Sequence, residues 1–294
     1  MTKETNILLI GSSGQLGTEL NLYLKSIGNL KTPQNSEFIF ISVSDLNNKL
    51  SKIKPNIIIN TLAFTQVENA ENNKEKAIFL NTTFPEMLSK WCYQNQCLLI
   101  HYSSDYVFSG KGNLPKKESS KAKPLNFYGV TKLKGDNFIK KSGASSIILR
   151  CSWIYSISHN SFLKSMLTKM KNEEEFSVVS DQIGTPTSAK WVARITFELI
   201  KKRSLLQGYN LINCTPNGYV SWYGFSTFIF NTLKQEDFKL KTKKIIPINS
   251  DALSQKVLRP KNSRLDNFKL RSILNYQISN WQNILEDELK NIIN

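Results

Sequence analysis

The feature that most constrains this chain lies at its start. Ile7-Leu8-Leu9-Ile10 is a short unbroken apolar run, the mark of a strand buried on both faces. It leads directly into Gly11-Ser12-Ser13-Gly14-Gln15-Leu16-Gly17, and Thr18–Ile27 then reads as a helix with apolar Leu20, Leu22, Leu24 and Ile27. Strand, glycine turn and helix open a dinucleotide-binding βαβ unit. Residues without side chains let the backbone turn tightly, admit a pyrophosphate to the helix N-terminus and let helix pack on strand. The spacing is G-x-x-G-x-x-G. The acidic residue that commonly follows about 20 positions on, to hold an adenosine ribose, is missing. The stretch Asn29–Ser36 offers Lys31 instead, which tilts the cofactor toward NADPH over NADH without deciding between them.

More apolar runs follow at Phe38–Val43, Ile57–Ile59, Leu98–Ile100 and Ile147–Leu149, with helical stretches near Asp45–Ile53, Lys74–Gln94 and Phe127–Lys141 between them. This alternation predicts an α/β fold with a Rossmann-like, doubly wound parallel sheet over residues 1–150. Beyond Arg150 the rhythm weakens. Asn160–Asn172 reads as a helix and Phe176–Val179 as a strand. Asp181–Thr187 reads as a polar loop and Lys190–Lys202 as a helix returning to the sheet. The expected division gives 188–225 back to the first domain. Residues 151–187 and 226–294 then form a smaller α/β substrate-binding domain.

No apolar run reaches the ~18 residues of a membrane helix, and the N-terminal run is too short for a signal peptide, so a cytoplasmic protein without membrane association is expected. Cys92, Cys97, Cys151 and Cys214 lack metal spacing and read as reduced, partly buried thiols. His101 and His159 are too few for a histidine-based metal site. The net charge of +16 invites a nucleic-acid reading, but only six of the 39 basic residues are arginine and the lysines are scattered. No nucleic-acid partner is expected; an anionic small molecule is.

Tyr128-Gly129-Val130-Thr131-Lys132 is a Tyr-x-x-x-Lys, which a helix puts on one face. An unperturbed phenol titrates near 10, and an ammonium a turn away is expected to bring it down toward acid–base use. Ser103-Ser104 follows the Leu98–Ile100 run, where a hydroxyl at a strand end can polarise a carbonyl. Either motif alone is common. Glycine turn, strand-end hydroxyl and Tyr-x-x-x-Lys in that order are specific.

Together these motifs resemble the extended short-chain dehydrogenase/reductases, and within them the dTDP-4-dehydrorhamnose reductase branch. The likeness is carried by Gly11–Gly17, Ile59–Glu71, Asn81, His101–Gly110, Tyr128–Gly135, Leu149–Tyr155, Val179–Thr187 and Arg259-Pro260 with Ser263. It implies reduction of the C4 keto group of a dTDP-linked 4-keto-6-deoxy sugar by NADPH or NADH. Tyr128 would protonate the sugar oxygen, Lys132 assist, and Ser104 (threonine in most of the family) polarise the carbonyl. Gly11, Ser13, Gly14, Gln15, Leu16, Gly17, Ala63, Phe64, Thr65 and Tyr102, with Tyr128 and Lys132, would contact the cofactor. Thr65, Val67, Ser104, Asp105, Tyr128 and Trp153 would line the sugar. The family's Asn-Ala-Ala-Ala is Asn60-Thr61-Leu62-Ala63 here, with larger side chains. Some members bind Mg²⁺ through a glutamate cluster near a dimer contact; with Gln15 and Lys190 in this chain, no metal is expected. A monomer or homodimer is.

Rival chemistries remain. A 4,6-dehydratase needs a second carboxylate, but Tyr106 follows Asp105. A C4 epimerase would retain its cofactor. A reductase of another nucleotide-linked 4-keto-6-deoxy sugar, or a non-catalytic regulatory subunit on the same fold, is the open alternative.

Overall fold

The computed structural model describes residues 5–253 and 257–293. Its centre is a six-stranded, wholly parallel sheet. Five of the strands are β1 (Asn6–Ile10), β2 (Asn29–Lys31), β3 (Ile57–Asn60), β4 (Leu98–Ser104) and β5 (Ser146–Cys151). The sixth, Tyr209–Asn213, lies outside β5, so the order across the sheet is Tyr209–Asn213, β5, β4, β3, β1, β2. Alternate residues face opposite ways and bury two cores. Ile7 and Leu9 meet Leu20, Trp191, Ile195 and Leu199 on one side. Leu8 and Ile10 meet Leu46, Leu50, Leu88 and Ile139 on the other. Helices therefore cover both faces, as a parallel sheet requires.

β1 pairs with β2 on one side and β3 on the other. The chain reverses its winding there, and a crevice opens beyond the carboxyl ends of β1 and β3. The glycine turn and Asn60-Thr61-Leu62 both leave their strands at that point. A third core, around Leu163, Phe176, Phe225, Ile229, Trp281 and Leu285, lies apart from the two on the sheet.

The strand expected at Phe38–Val43 does not form. Asn35–Phe38 is a 3-10 turn, Phe40 takes φ +56°, and Ser42 caps the helix Val43–Ile53 through Asp45 N at 3.1 Å. The second strand is Asn29–Lys31, the sheet edge. The first helix starts three residues early, at Gln15, with Gly14 as its N-cap. The single helix expected over Lys74–Gln94 is interrupted by a π-helical turn, Phe79–Thr83.

Candidate active site

The crevice is a cavity of about 480 Å³. The glycine turn forms one wall. Gly11 has φ +91°, and a Cβ there would lie 2.3 Å from Thr61 Oγ1. A Cβ on Gly17 would lie 2.0 Å from the Gly11 carbonyl oxygen, so helix and turn pack backbone to backbone. No side chain caps the helix at Gly14. The donor end of the helix is thus left to a ligand, and a Cβ on Gly14 would meet nothing nearer than 3.5 Å. An open, glycine-lined helix N-terminus fits the pyrophosphate of a dinucleotide. Thr61 also borders the cavity, with its hydroxyl within donating distance of the carbonyls of Ile10 (2.9 Å) and Gly11 (3.0 Å).

The opposite wall is the helix Phe127–Lys141. Its start is fixed twice: Asn126 Oδ1 accepts from Gly129 N (2.9 Å), and Glu71 Oε1 accepts from Phe127 N (2.9 Å). Gly129 allows contact with the Tyr106 carbonyl, since a Cβ there would be 2.2 Å from it. Tyr128 is thereby set against Tyr106, ring centroids 5.6 Å apart and nearly perpendicular. The π turn gives Asn81 its place. Asn81 accepts from Phe64 N (2.9 Å) and donates to the Phe64 carbonyl (3.0 Å) and to Thr131 Oγ1 (3.1 Å). It staples the segment after β3 to the helix, as π turns at functional sites often do.

Ser104, Tyr128 and Lys132 all line the cavity. The Ser104 hydroxyl donates to Asp105 Oδ1 (3.1 Å) and accepts from Tyr106 N (3.2 Å). Burial, opposed by the nearby Ser104 hydroxyl, pushes the Tyr128 phenol well above its ordinary range. The lowering expected from Lys132 is not found. Lys132 Nζ instead donates to the Tyr102 carbonyl (2.6 Å), and burial pulls its own pKa down to about 8. Burial likewise raises the Asp105 carboxyl to about 6.

Gly11, Gly14, Gln15, Leu16, Gly17, Ala63, Thr65, Val67, Tyr102, Asp105 and Trp153 also border the cavity. Ser13 and Phe64 are not on its wall. Ser13 Oγ accepts from Asn35 Nδ2 (2.9 Å), and Phe64 is tied by its backbone to Asn81. Asn35, Tyr106 and Trp222, which carry no site signal in the sequence, also border the cavity. The asparagine, first residue of the 3-10 turn, lies in the stretch where dinucleotide-binding folds commonly carry an acidic residue. Trp222 comes from a helix start with no local motif. No three His, Cys, Asp or Glu are grouped to hold a metal ion among the described residues.

Parallel sheet, glycine turn at the switch point and a buried Tyr–Lys–Ser set define an oxidoreductase of the dinucleotide-dependent kind. The chain belongs to the family described as RmlD substrate binding domain, whose model matches residues 5–293. It is 33% identical over 285 residues to the dTDP-4-dehydrorhamnose reductase of Escherichia coli K12, covering 94% of each chain. It is 30% identical over 262 residues to the spore coat polysaccharide biosynthesis protein SpsK of Bacillus subtilis, covering 89% of each. Among solved structures, a dTDP-4-dehydrorhamnose reductase from Clostridium acetobutylicum superposes with TM-score 0.89 at 30% identity, over 97% of this chain and 99% of that one. The Bacillus anthracis enzyme in complex with NADP gives 0.90 at 27% identity, over 99% and 100%. No helix among the described residues is long and apolar enough to cross a membrane.

Proposed function

We propose that the chain reduces the C4 keto group of dTDP-4-dehydro-L-rhamnose to give dTDP-L-rhamnose, using NADPH or NADH. The observation that carries this reading is that Ser104, Tyr128 and Lys132 share one cavity with the glycine turn. Gly11, Gly14 and Gly17 would hold the pyrophosphate. When bound, a reduced nicotinamide would supply the hydride for C4. Tyr128 gives its phenolic proton to the C4 oxygen, and its burial keeps that proton in place beforehand. The Ser104 hydroxyl turns from Asp105 to donate to the same oxygen as charge develops there. Lys132 would hold the nicotinamide ribose hydroxyls and, when charged, would favour the phenolate left behind. Thr65, Val67, Asp105 and Trp153 enclose the sugar.

A second cavity of about 330 Å³ shares Trp222 with the first and is lined by Phe162, Met166, Val178 and Arg259. Its apolar wall suits a pyrimidine base. The Arg259 guanidinium, bonded to Glu68 Oε1 at 2.5 Å with its Nε unpartnered, suits a diphosphate. The third core is then the substrate-binding unit, and it takes Trp222 and Phe225 from the stretch 188–225 expected to return to the sheet, because the helix Trp222–Gln235 buries its apolar face there. The reaction fits a cytoplasmic enzyme acting as a monomer or homodimer. Incubation with the keto sugar nucleotide and either cofactor, with the product identified by NMR, tests the reading; no oxidation of NADPH or NADH would overturn it. Tyr128→Phe is expected to lower kcat by about 10²- to 10⁴-fold with the fold retained.

A further inference from the structure

His101 and Lys132 are both buried, and Lys132 Nζ lies 3.3 Å from His101 Nε2. On the far side of the ring, His101 Nδ1 lies 3.3 Å from Asn60 Nδ2. The amide of Asn60 is not free to turn over, because its Oδ1 accepts from Leu62 N at 3.1 Å. Its NH₂ therefore faces Nδ1, which must be the ring's acceptor. The proton of the neutral imidazole then sits on Nε2 and points at Lys132. An ammonium there would oppose donor to donor. An uncharged amine satisfies every contact: its lone pair accepts from Nε2–H, one N–H donates to the Tyr102 carbonyl, and the other is left for the cavity.

We propose that His101 is a positioning residue for the reduction: locked as the Nε2–H tautomer by Asn60, its ring seats the Lys132 amine and biases it toward the uncharged form. The role rests on the reading of Lys132 as part of the catalytic set. Burial acts in the same direction on both groups, holding His101 well below the ordinary imidazole range and Lys132 at about 8. Asp136, on the same helix, and Cys151, at the end of β5, pull Lys132 the other way. Asp136 is already committed to Ser103 and Arg150. Tyr128, one turn back, is the remaining titratable neighbour on the helix.

With only two histidines in the chain, a His159→Gln variant assigns the imidazole ¹⁵N spectrum. The expected spectrum at and above neutral pH has His101 Nδ1 unprotonated and Nε2 protonated; an Nδ1–H tautomer overturns the proposal. His101→Gln offers Lys132 a carbonyl acceptor instead of an N–H. It is expected to move the basic limb of the kcat/KM profile up by about one pH unit, a shift that a packing role would not produce. An unmoved limb also overturns it. Lys132→Met separates the two readings: activity surviving that change would sink the catalytic set itself, whereas an Nδ1–H ring with Lys132-dependent activity would sink only the role of His101.

Discussion

Trp153 and Trp222 stack face to face, their ring centroids 3.5 Å apart and their planes within 9°. Trp153 holds φ +48°, in the left-handed region that side chains avoid, and a Cβ on Gly184 would come within 2.5 Å of its ring. Trp222 is itself backed by Phe162 at 4.3 Å. The stack stands between the two cavities, so Trp222 orients the indole that is proposed to cover the sugar.

Trp222→Ala removes one face of that sandwich. Aromatic pairs contribute about 0.5–1.5 kcal/mol beyond their buried area, so KM for the sugar nucleotide is expected to rise about 3- to 10-fold with kcat little changed. Trp222→Phe should fall between. Steady-state kinetics on the two variants check this.

Behind the site, Asp136 Oδ2 accepts from Ser103 Oγ (2.6 Å) and pairs with Arg150 (3.0 Å), both ionic side chains being almost fully buried. Removing one charge strands the other in a medium of low polarity. Asp136→Ala is expected to cost about 3–5 kcal/mol in urea unfolding, while the double change Asp136→Leu with Arg150→Met recovers most of it. Activity should stay low in the single variant, because Ser103 adjoins Ser104.

Most of the sheet, and the grouping of Ser104, Tyr128 and Lys132 on one cavity, were legible because their signals are local. Continuous apolar runs mark strands buried on both faces, and glycine spacing marks the turn. The second strand was not legible. Asn29–Lys31 is a sheet edge with a single half-buried residue, whereas Phe38-Ile39-Phe40-Ile41 carries the hydrophobicity a strand would have. Phe38 instead packs on Phe84, while Phe40 is exposed. The π turn at Asn81 slips the helical register by one residue, but a slip confined to five residues is too short to stand out in the apolar pattern. The direction of the Tyr128 shift depends on burial and on where Lys132 Nζ points, and spacing along a helix specifies neither.

Asp105 gives a pH signature. Its carboxyl titrates at about 6 when folded, against an ordinary 3.8, chiefly because burial disfavours the charge. The folded state therefore binds more protons than the unfolded state between those values, and stability falls as pH rises from about 4 to 6. The full penalty, on the order of 3 kcal/mol, is present at pH 7. Asp105→Asn is expected to raise Tm at neutral pH and leave it unchanged near pH 3, while weakening sugar binding. Thermal melts across pH, set beside kinetics, check both parts.

The glycine turn separates packing from ligand binding within one helix start. At Gly17 a methyl group would lie 2.0 Å from the Gly11 carbonyl oxygen, with backbone on both sides and nothing flexible to yield. Gly17→Ala is expected to lower stability by about 1–3 kcal/mol, and cofactor affinity with it. At Gly14 the nearest atom to a new Cβ is 3.5 Å away, an ordinary contact, and φ is −83°. Gly14→Ala should therefore fold with an unchanged Tm. Its methyl group nonetheless sits at the open N-terminus of the helix, where the pyrophosphate would approach the backbone. Titration of NADPH and NADH by fluorescence is expected to show at least about a tenfold loss of affinity, or roughly 1.4 kcal/mol, in the Gly14→Ala protein. Undiminished affinity there would move the cofactor away from this turn.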